Sequence, residues 1–257
     1  MRIANGLRTC GLIVSGLFFS PSTLAEDSLN DNHENSPLKS EIEFGYQSHT
    51  GNTDSQALNS RVDAEYTSGR HRHSGEFKLH KLDKNGEEDK FQLTYEAQSD
   101  YKLGIGIYLY GGFKGIDSRH SAYYKDYTLS GGLGYQVVNS KDLLVEVEIG
   151  PGYRYQEPNL DELDDDDIIF PNIVQEPIFR GQFSSNWQII DSFSLSAKVT
   201  LTTGESNSKV DTELSAINNI TDDIALKIVH EKQSHSKVPN GLSDTESSLS
   251  VNLLFIF

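Results

Sequence analysis

The chain has 257 residues, enough for one large domain or two small ones. Hydrophobic residues make up 36%, and 38 acids against 22 lysines and arginines give a formal charge of -16; with no basic patch in view, this argues against nucleic acid as a partner. Past residue 20 there is no run of 18 apolar residues, no glycine period and no sustained heptad, which excludes a later membrane-spanning helix, collagen and coiled coil. A transmembrane β-barrel stays open, because strands that alternate apolar and polar residues average out as polar.

Residues 1–25 read as a signal peptide. Arg2 and Arg8 give a positive start, Cys10 to Phe19 a short apolar run, and Thr23-Leu24-Ala25 a small-residue cleavage site. A retained anchor is the alternative, and the run is short for one. Cys10 lies inside the apolar run rather than after it, which argues against a lipoprotein. Cleavage would take two arginines and the only cysteine, leaving a charge of -18 and a chain free of thiols, as suits an oxidising compartment. Residues 26–37 are polar and aperiodic, a flexible leader.

From residue 38 the dominant period is two. The pattern predicts twelve strands over 38–47, 55–67, 71–82, 90–100, 103–114, 123–138, 143–156, 173–189, 193–203, 210–220, 224–235 and 245–257. The seventh is the clearest: Leu143, Val145, Val147, Ile149, Pro151, Tyr153 and Tyr155 share one parity, with Glu146, Glu148, Gly150, Gly152, Arg154 and Gln156 on the other. The tenth is the weakest, since Thr212 and Asn218 interrupt its apolar face. Most lengths fit the ~9–11 residues of a tilted membrane-crossing strand.

Short polar turns are expected at 68–70, 101–102, 139–142, 190–192 and 221–223, with longer links at 48–54, 83–89, 115–122, 157–172, 204–209 and 236–244. Strict alternation of short and long, with an even strand number, is the plan of an up-and-down outer-membrane barrel with short periplasmic turns and longer external loops. The expected fold is therefore an all-β, transmembrane antiparallel barrel over 38–257, placed in the outer membrane of a Gram-negative bacterium after Sec export. A soluble periplasmic β-protein is the rival. The apolar parity would face lipid, with aromatics at both ends: Tyr66, Tyr101, Tyr135, Trp187 and Phe193 near the short turns, and Tyr46, Phe91, Phe113, Tyr153 and Phe179 near the long links. Gly104, Gly106, Gly132, Gly134, Gly150 and Gly152 fall on the inner parity, where they would relieve crowding. Phe255 and Phe257 close an alternating terminal strand that resembles the signal barrels present to their assembly machinery.

Several segments resemble one family. They are Gly45-Tyr46-Gln47-Ser48 with Thr50-Gly51-Asn52-Thr53-Asp54, Tyr66-Thr67-Ser68-Gly69-Arg70, Gly132-Leu133-Gly134-Tyr135, Gly150-Pro151-Gly152-Tyr153-Arg154 and Val238-Pro239-Asn240-Gly241. Together they are similar to the YdiY-like family of salt-induced outer-membrane proteins, over about Leu38 to Phe257. The resemblance implies an outer-membrane barrel and no particular biochemical activity. The 157–172 link departs from the family pattern in its acidity, which leaves a loop-based role open.

The inner parity carries the candidate functional residues. Its acids are Glu41, Glu43, Asp63, Glu65, Glu76, Glu96, Asp126, Glu146, Glu148, Glu213 and Glu231; its bases are Arg61, Lys78, Lys114, Arg154, Arg180, Lys198 and Lys227. The mixed signs favour pairing across a filled or nearly filled lumen, since twelve strands lie between barrels that side chains fill and those that leave a channel. A weakly cation-preferring pore is the other reading. In the 157–172 link, Asp161, Asp164, Asp165, Asp166 and Asp167 are candidate ligands for divalent cations shared with lipopolysaccharide, without EF-hand spacing. Asp83 and Asp89 flank a second such stretch, where Asn85-Gly86 is first a turn signal. His49, His80, His120 and His235 fall near the external ends and permit a barrel hydrolase, though no spacing singles out a catalytic pair. His71 and His73 share a face and make only two ligands. His230 falls on the lipid parity. The expected partners are membrane lipid, lipopolysaccharide, the assembly machinery and divalent cations; no cofactor is implied. A narrow pore or envelope-structural barrel is the leading expectation.

Overall fold

The computed structural model describes residues 37–49, 54–121, 123–158, 172–237 and 244–257. Twelve strands follow in chain order. The first six are β1 (Leu38–His49), β2 (Ser55–Ser68), β3 (His71–Lys84), β4 (Glu87–Lys102), β5 (Ile107–Ser118) and β6 (Tyr123–Asn139). The rest are β7 (Leu143–Pro158), β8 (Val174–Ile190), β9 (Phe193–Thr203), β10 (Ser208–Asn219), β11 (Ile224–His235) and β12 (Thr245–Ile256). Each pairs antiparallel with its sequence neighbours, and β1 pairs with β12, so the sheet closes into a barrel. Closure leaves no sheet edge, which an apolar solvent demands of strands whose backbone groups have no water to bond.

The two faces of this wall invert the soluble pattern. Leu133, Ile149, Val251 and Leu249 are exposed by 51 to 68%, whereas Glu148, Arg154 and Lys227 are at most 4% exposed. Large apolar side chains on the outside and charges within require an apolar medium around the barrel. Leaving each such side chain in water instead would forgo about 1.5–3 kcal/mol. Outward aromatics gather into a platform of Tyr95, Phe113, Tyr127 and Tyr155, with ring centroids 6.0–6.2 Å apart. The Tyr127 and Tyr95 hydroxyls donate to Asp117 at 2.7 and 3.2 Å.

Three sequence expectations need correction: the start of the fifth strand, the 83–89 link and the strict alternation of connections. The fifth strand starts at Ile107, not at residue 103. Residues 103–106 instead form a turn closed by the Leu103 N–H donating to the Ile107 carbonyl at 2.9 Å. Gly106 adopts φ of +73° there, a conformation that glycine permits. Leu103-Gly104-Ile105-Gly106 thus imitates strand alternation, and Gly104 and Gly106 lie in the turn rather than on the inner wall.

The 83–89 segment is likewise no long link. Asn85 and Gly86 both have positive φ, 52° and 82°, as a two-residue type I′ hairpin requires. Lys84 pairs with Glu87 and Asp83 with Glu88 in the ladder, beside a register shift at Leu82/Asp83. Charged residues on both parities hid this strand end. The third link shortens to 119–122 and the fifth to 204–207 as β5 and β10 extend, so the alternation of short and long is not strict.

The wall is tightest between β6 and β7. Pro151 has no N–H to give, and the paired register runs from Ser130–Gly152 to Leu133–Ile149 across the Gly131-Gly132 and Gly150-Pro151 stretch. A Cβ on Gly150 would collide with the backbone of Gly131 and Gly132. On the lumenal side the Tyr108 ring occupies the place a Gly134 side chain would take.

Candidate functional site

Inward positions on twelve strands converge on one lumen, and the side chains placed there are largely ionic. At mid-depth Arg61 on β2 contacts Asp63 and Glu76 at 2.5 Å, Glu213 at 2.8 Å and Glu43 at 3.6 Å. Lys78 on β3 contacts Glu213 at 2.6 Å, Glu231 at 3.1 Å and Glu76 at 3.2 Å. Glu213 belongs to β10 and Glu231 to β11, so these pairs span the lumen instead of running along one hairpin. Lys198 on β9 reaches Glu96 on β4 at 2.9 Å, and Lys114 on β5 reaches Glu96 at 2.8 Å and Asp211 on β10 at 3.5 Å. Lys227 pairs with Glu43, whose second oxygen accepts from Asn252 at 3.1 Å. Desolvated charges of this kind are tolerable only when each has its partners.

This belt divides the lumen. A cavity of about 360 Å³ lies on the long-link side, lined by Lys90, His80 and Gln233 among others. A cavity of about 610 Å³ lies on the short-turn side, lined by Lys39, Glu41, Glu65, Ser140 and Asn186 among others. Glu96, Lys198 and Glu213 line both and stand between them.

Towards the short turns a second group leans on the tight β6–β7 wall. Arg72 contacts Asp100 at 2.7 Å and Glu146 at 3.0 Å, with its guanidinium 5.3 Å from the centre of the Tyr108 ring. Glu148 accepts from Arg180 and Gln98, each at 2.8 Å, and from the Tyr108 hydroxyl at 3.1 Å. Towards the long links, Arg154 pairs with Glu176, which also accepts from the Ser206 backbone N–H at 2.8 Å and the Ser206 hydroxyl at 2.6 Å. Ser206 and Asn207 are buried, so the 204–207 link turns into the barrel. The Asn207 side-chain amide oxygen fixes it by accepting from the N–H groups of Ser236 and Lys237 at 3.1 and 3.2 Å. Lys209 meets Asp126 at 3.2 Å, and Lys90 meets Glu246 at 2.9 Å at the rim.

The charged residues singled out by parity all lie on lumenal positions, and the belt brings Glu43, Arg61, Asp63, Glu76, Lys78, Glu96, Lys114, Lys198, Glu213, Lys227 and Glu231 together. Parity missed Arg72, Asp100, Glu176, Lys209 and Asp211. Arg72 sits between outward His71 and His73, whose rings stack at 5.9 Å with Tyr101 at 5.0 Å from His71. With polar residues on both parities, the apolar contrast that marks the outer face is absent at such strand ends.

The other histidines are dispersed. His80 lies 2.5 Å from the Asn59 side-chain oxygen, His235 3.1 Å from the Asn207 amide, and His120 3.4 Å from Glu88. His230 stands on the outer face between Leu214 and Leu249. Asp83 and Asp89 have lysine partners, Lys81 at 3.1 Å and Lys84 at 2.7 Å. Of the family segments, Asp54 opens beside the β3–β4 hairpin, its N–H donating to Asn85 at 3.1 Å; Pro151 and Tyr153 face outward on β7, and Gly150, Gly152 and Arg154 inward. Gly51, Asn52 and Thr53, the His49 side chain, and the acidic run with Asp161, Asp164, Asp165, Asp166 and Asp167 lie outside the described residues.

Residues 42–257 match the family described as protein of unknown function, DUF481. The chain belongs to the DUF481 family. The match covers the barrel from within β1 to the last residue, and the YdiY-like resemblance of the sequence motifs agrees with it. Among solved structures, the DUF481 chain is similar to the NanC porin, with 14% identity and a TM-score of 0.51 over 85% of this chain and 98% of that one. It also matches the COG4313 outer membrane channel from Pseudomonas putida F1, with 9% identity and a TM-score of 0.49 over 90% and 100%. A third match is the translocator domain of the autotransporter NalP from Neisseria meningitidis, with 12% identity and a TM-score of 0.45 over 88% and 90%. At these identities the NanC likeness speaks for the fold, an outer-membrane type of β-barrel. No curated protein matches the chain.

Proposed function

We propose that this DUF481 barrel is a narrow outer-membrane pore whose lumen is closed at rest by its ionic belt and yields to small ions. One observation carries the reading: two aqueous-sized cavities, of about 360 and 610 Å³, meet at the same three side chains, Glu96, Lys198 and Glu213. A barrel serving only as a wall has no need of an open vestibule on both sides of its filling. The belt pairs Lys198–Glu96 and Lys114–Glu96 stay partly exposed to those vestibules, so salt screens them in part. Conductance therefore rises more steeply than salt concentration, which is how a salt response would arise. The excess of acids lining the lumen gives the pore a weak cation preference.

The same reading takes residues 1–25 as a signal removed on Sec export, Phe255 and Phe257 as the assembly signal, and lipid and lipopolysaccharide as what the outer wall meets. The test is planar-bilayer recording of the refolded mature chain. Small, cation-preferring steps that grow disproportionately with salt are expected. Silence over a wide range of salts would remove the pore and leave an envelope-structural role.

A further inference from the structure

A group of polar side chains lies on the outer wall at its short-turn end. His71 and His73 are outward and exposed, their rings stacked at 5.9 Å and 12° from parallel. Tyr101 tilts against His71, its ring centre 5.0 Å away. Arg70, the residue before His71, is exposed in the β2–β3 turn. Among the described residues, the side chains of Arg70, His71 and His73 have no hydrogen bond and no ion pair. Their outward ladder neighbours are Ser68 and Tyr101 for His71, and Tyr66 and Ser99 for His73. No carboxylate stands beside them. A guanidinium and two imidazoles, each with an N–H to donate, suit an anion. The wall meets the lipid head groups where its turns begin, and in a phospholipid leaflet the anion at that level is the phosphodiester.

The wall next to this group is hollow. Towards mid-membrane the next outward row holds Ala64, Gly75 and Ala97, and Gly111 lies beside Ser99. A Cβ on Gly111 would meet nothing within 4 Å, and one on Gly75 only the Glu96 carbonyl oxygen at 3.9 Å. Small residues let a neighbour approach the backbone closely. Phe77 and Tyr95, on the following row, stand above the hollow. A furrow thus runs from the histidines towards mid-membrane, the direction an acyl chain takes from its head group.

We propose that the outer wall of β2 to β4 binds one anionic phospholipid of the leaflet at the short-turn end. Arg70, His71 and His73 hold its phosphate, and an acyl chain lies along Gly75 and Ala97. An anionic lipid is favoured over a zwitterionic one, because no outward acid is at hand to receive an ammonium group. The site lies outside the lumen and stands or falls separately from ion conduction.

Native mass spectrometry of the full-length barrel released from detergent is the test, with phosphatidylglycerol as the probe. A single phosphatidylglycerol is expected to stay bound, whereas diacylglycerol, which shares its chains and lacks the phosphate, is lost. The triple variant Arg70→Gln, His71→Leu, His73→Leu is expected to weaken retention about tenfold, the worth of one charge-assisted hydrogen bond. Gly75→Leu fills the furrow, leaves the donors in place and is expected to weaken retention several-fold. Lys141→Gln removes a charge from the β6–β7 turn and is expected to change nothing. All of these positions are exposed, so the barrel is expected to fold in each case. Equal retention of diacylglycerol by the wild type overturns the proposal whether or not a variant folds. Unchanged retention in the triple variant or in Gly75→Leu overturns it as well, and so does an equal loss in Lys141→Gln.

Discussion

Two arginines share this lumen and differ in what surrounds them. Arg61 has four carboxylates within 3.6 Å. Arg154 has one, and two of its nitrogens face no acceptor. Both are charges on inward strand positions, Arg61 partly buried and Arg154 fully enclosed. Their chemistry differs: Arg61 is the hub of a bridge across the barrel, ringed by carboxylates, and Arg154 is an under-satisfied donor beside a small cavity. The count of charges in a lumen therefore says little about its function; what each charge lacks says more.

The largest effect separating them is expected at Arg61. Arg61→Ala strands Glu43, Asp63, Glu76 and Glu213 without their shared cation, and losing one partner of a buried pair costs about 3–5 kcal/mol. Urea denaturation in detergent is expected to show that loss, and bilayer recording a several-fold larger, more cation-selective conductance. Arg154→Gln leaves Glu176 held by both donors of Ser206. A smaller loss of about 1–3 kcal/mol follows, with unchanged conductance; a conductance rise equal to that of Arg61→Ala would erase the distinction between the two sites. Lys198→Met removes a belt member whose side chain is 38% exposed, so stability is expected to change by less than about 1 kcal/mol and conductance to rise modestly. Lys90→Met at the rim, where Glu246 is 54% exposed, is expected to stay within about 0.5 kcal/mol and to leave the current unchanged, as single-channel recording would show.

The strand plan was legible wherever one face is apolar. Leu143 to Tyr155 shows this best, and there the expected inner residues Glu146, Glu148 and Arg154 lie in the lumen. It failed at Leu103 to Gly106, where glycines imitate the polar half of the alternation, and at Asp83 to Asp89, where a hairpin carries charge on both faces. The same blurring at strand ends hid Arg72 and Asp100. Which inward charges meet was not legible at all. Parity assigns a face, but the pairing of Lys78 with Glu213 depends on barrel diameter and strand stagger, which no local pattern encodes. The inward 204–207 link and the small cavity beside Arg154 depend in the same way on residues far apart in the chain.

The central claim is that the belt around Arg61 and Lys78, rather than the strand number, sets the width of the lumen. Single-channel conductance of the wild type and of Arg61→Ala, recorded in the same salt, tests it most directly. A small wild-type step that grows several-fold in the variant is the predicted result. A wild type that already conducts as fully as the variant would contradict the account.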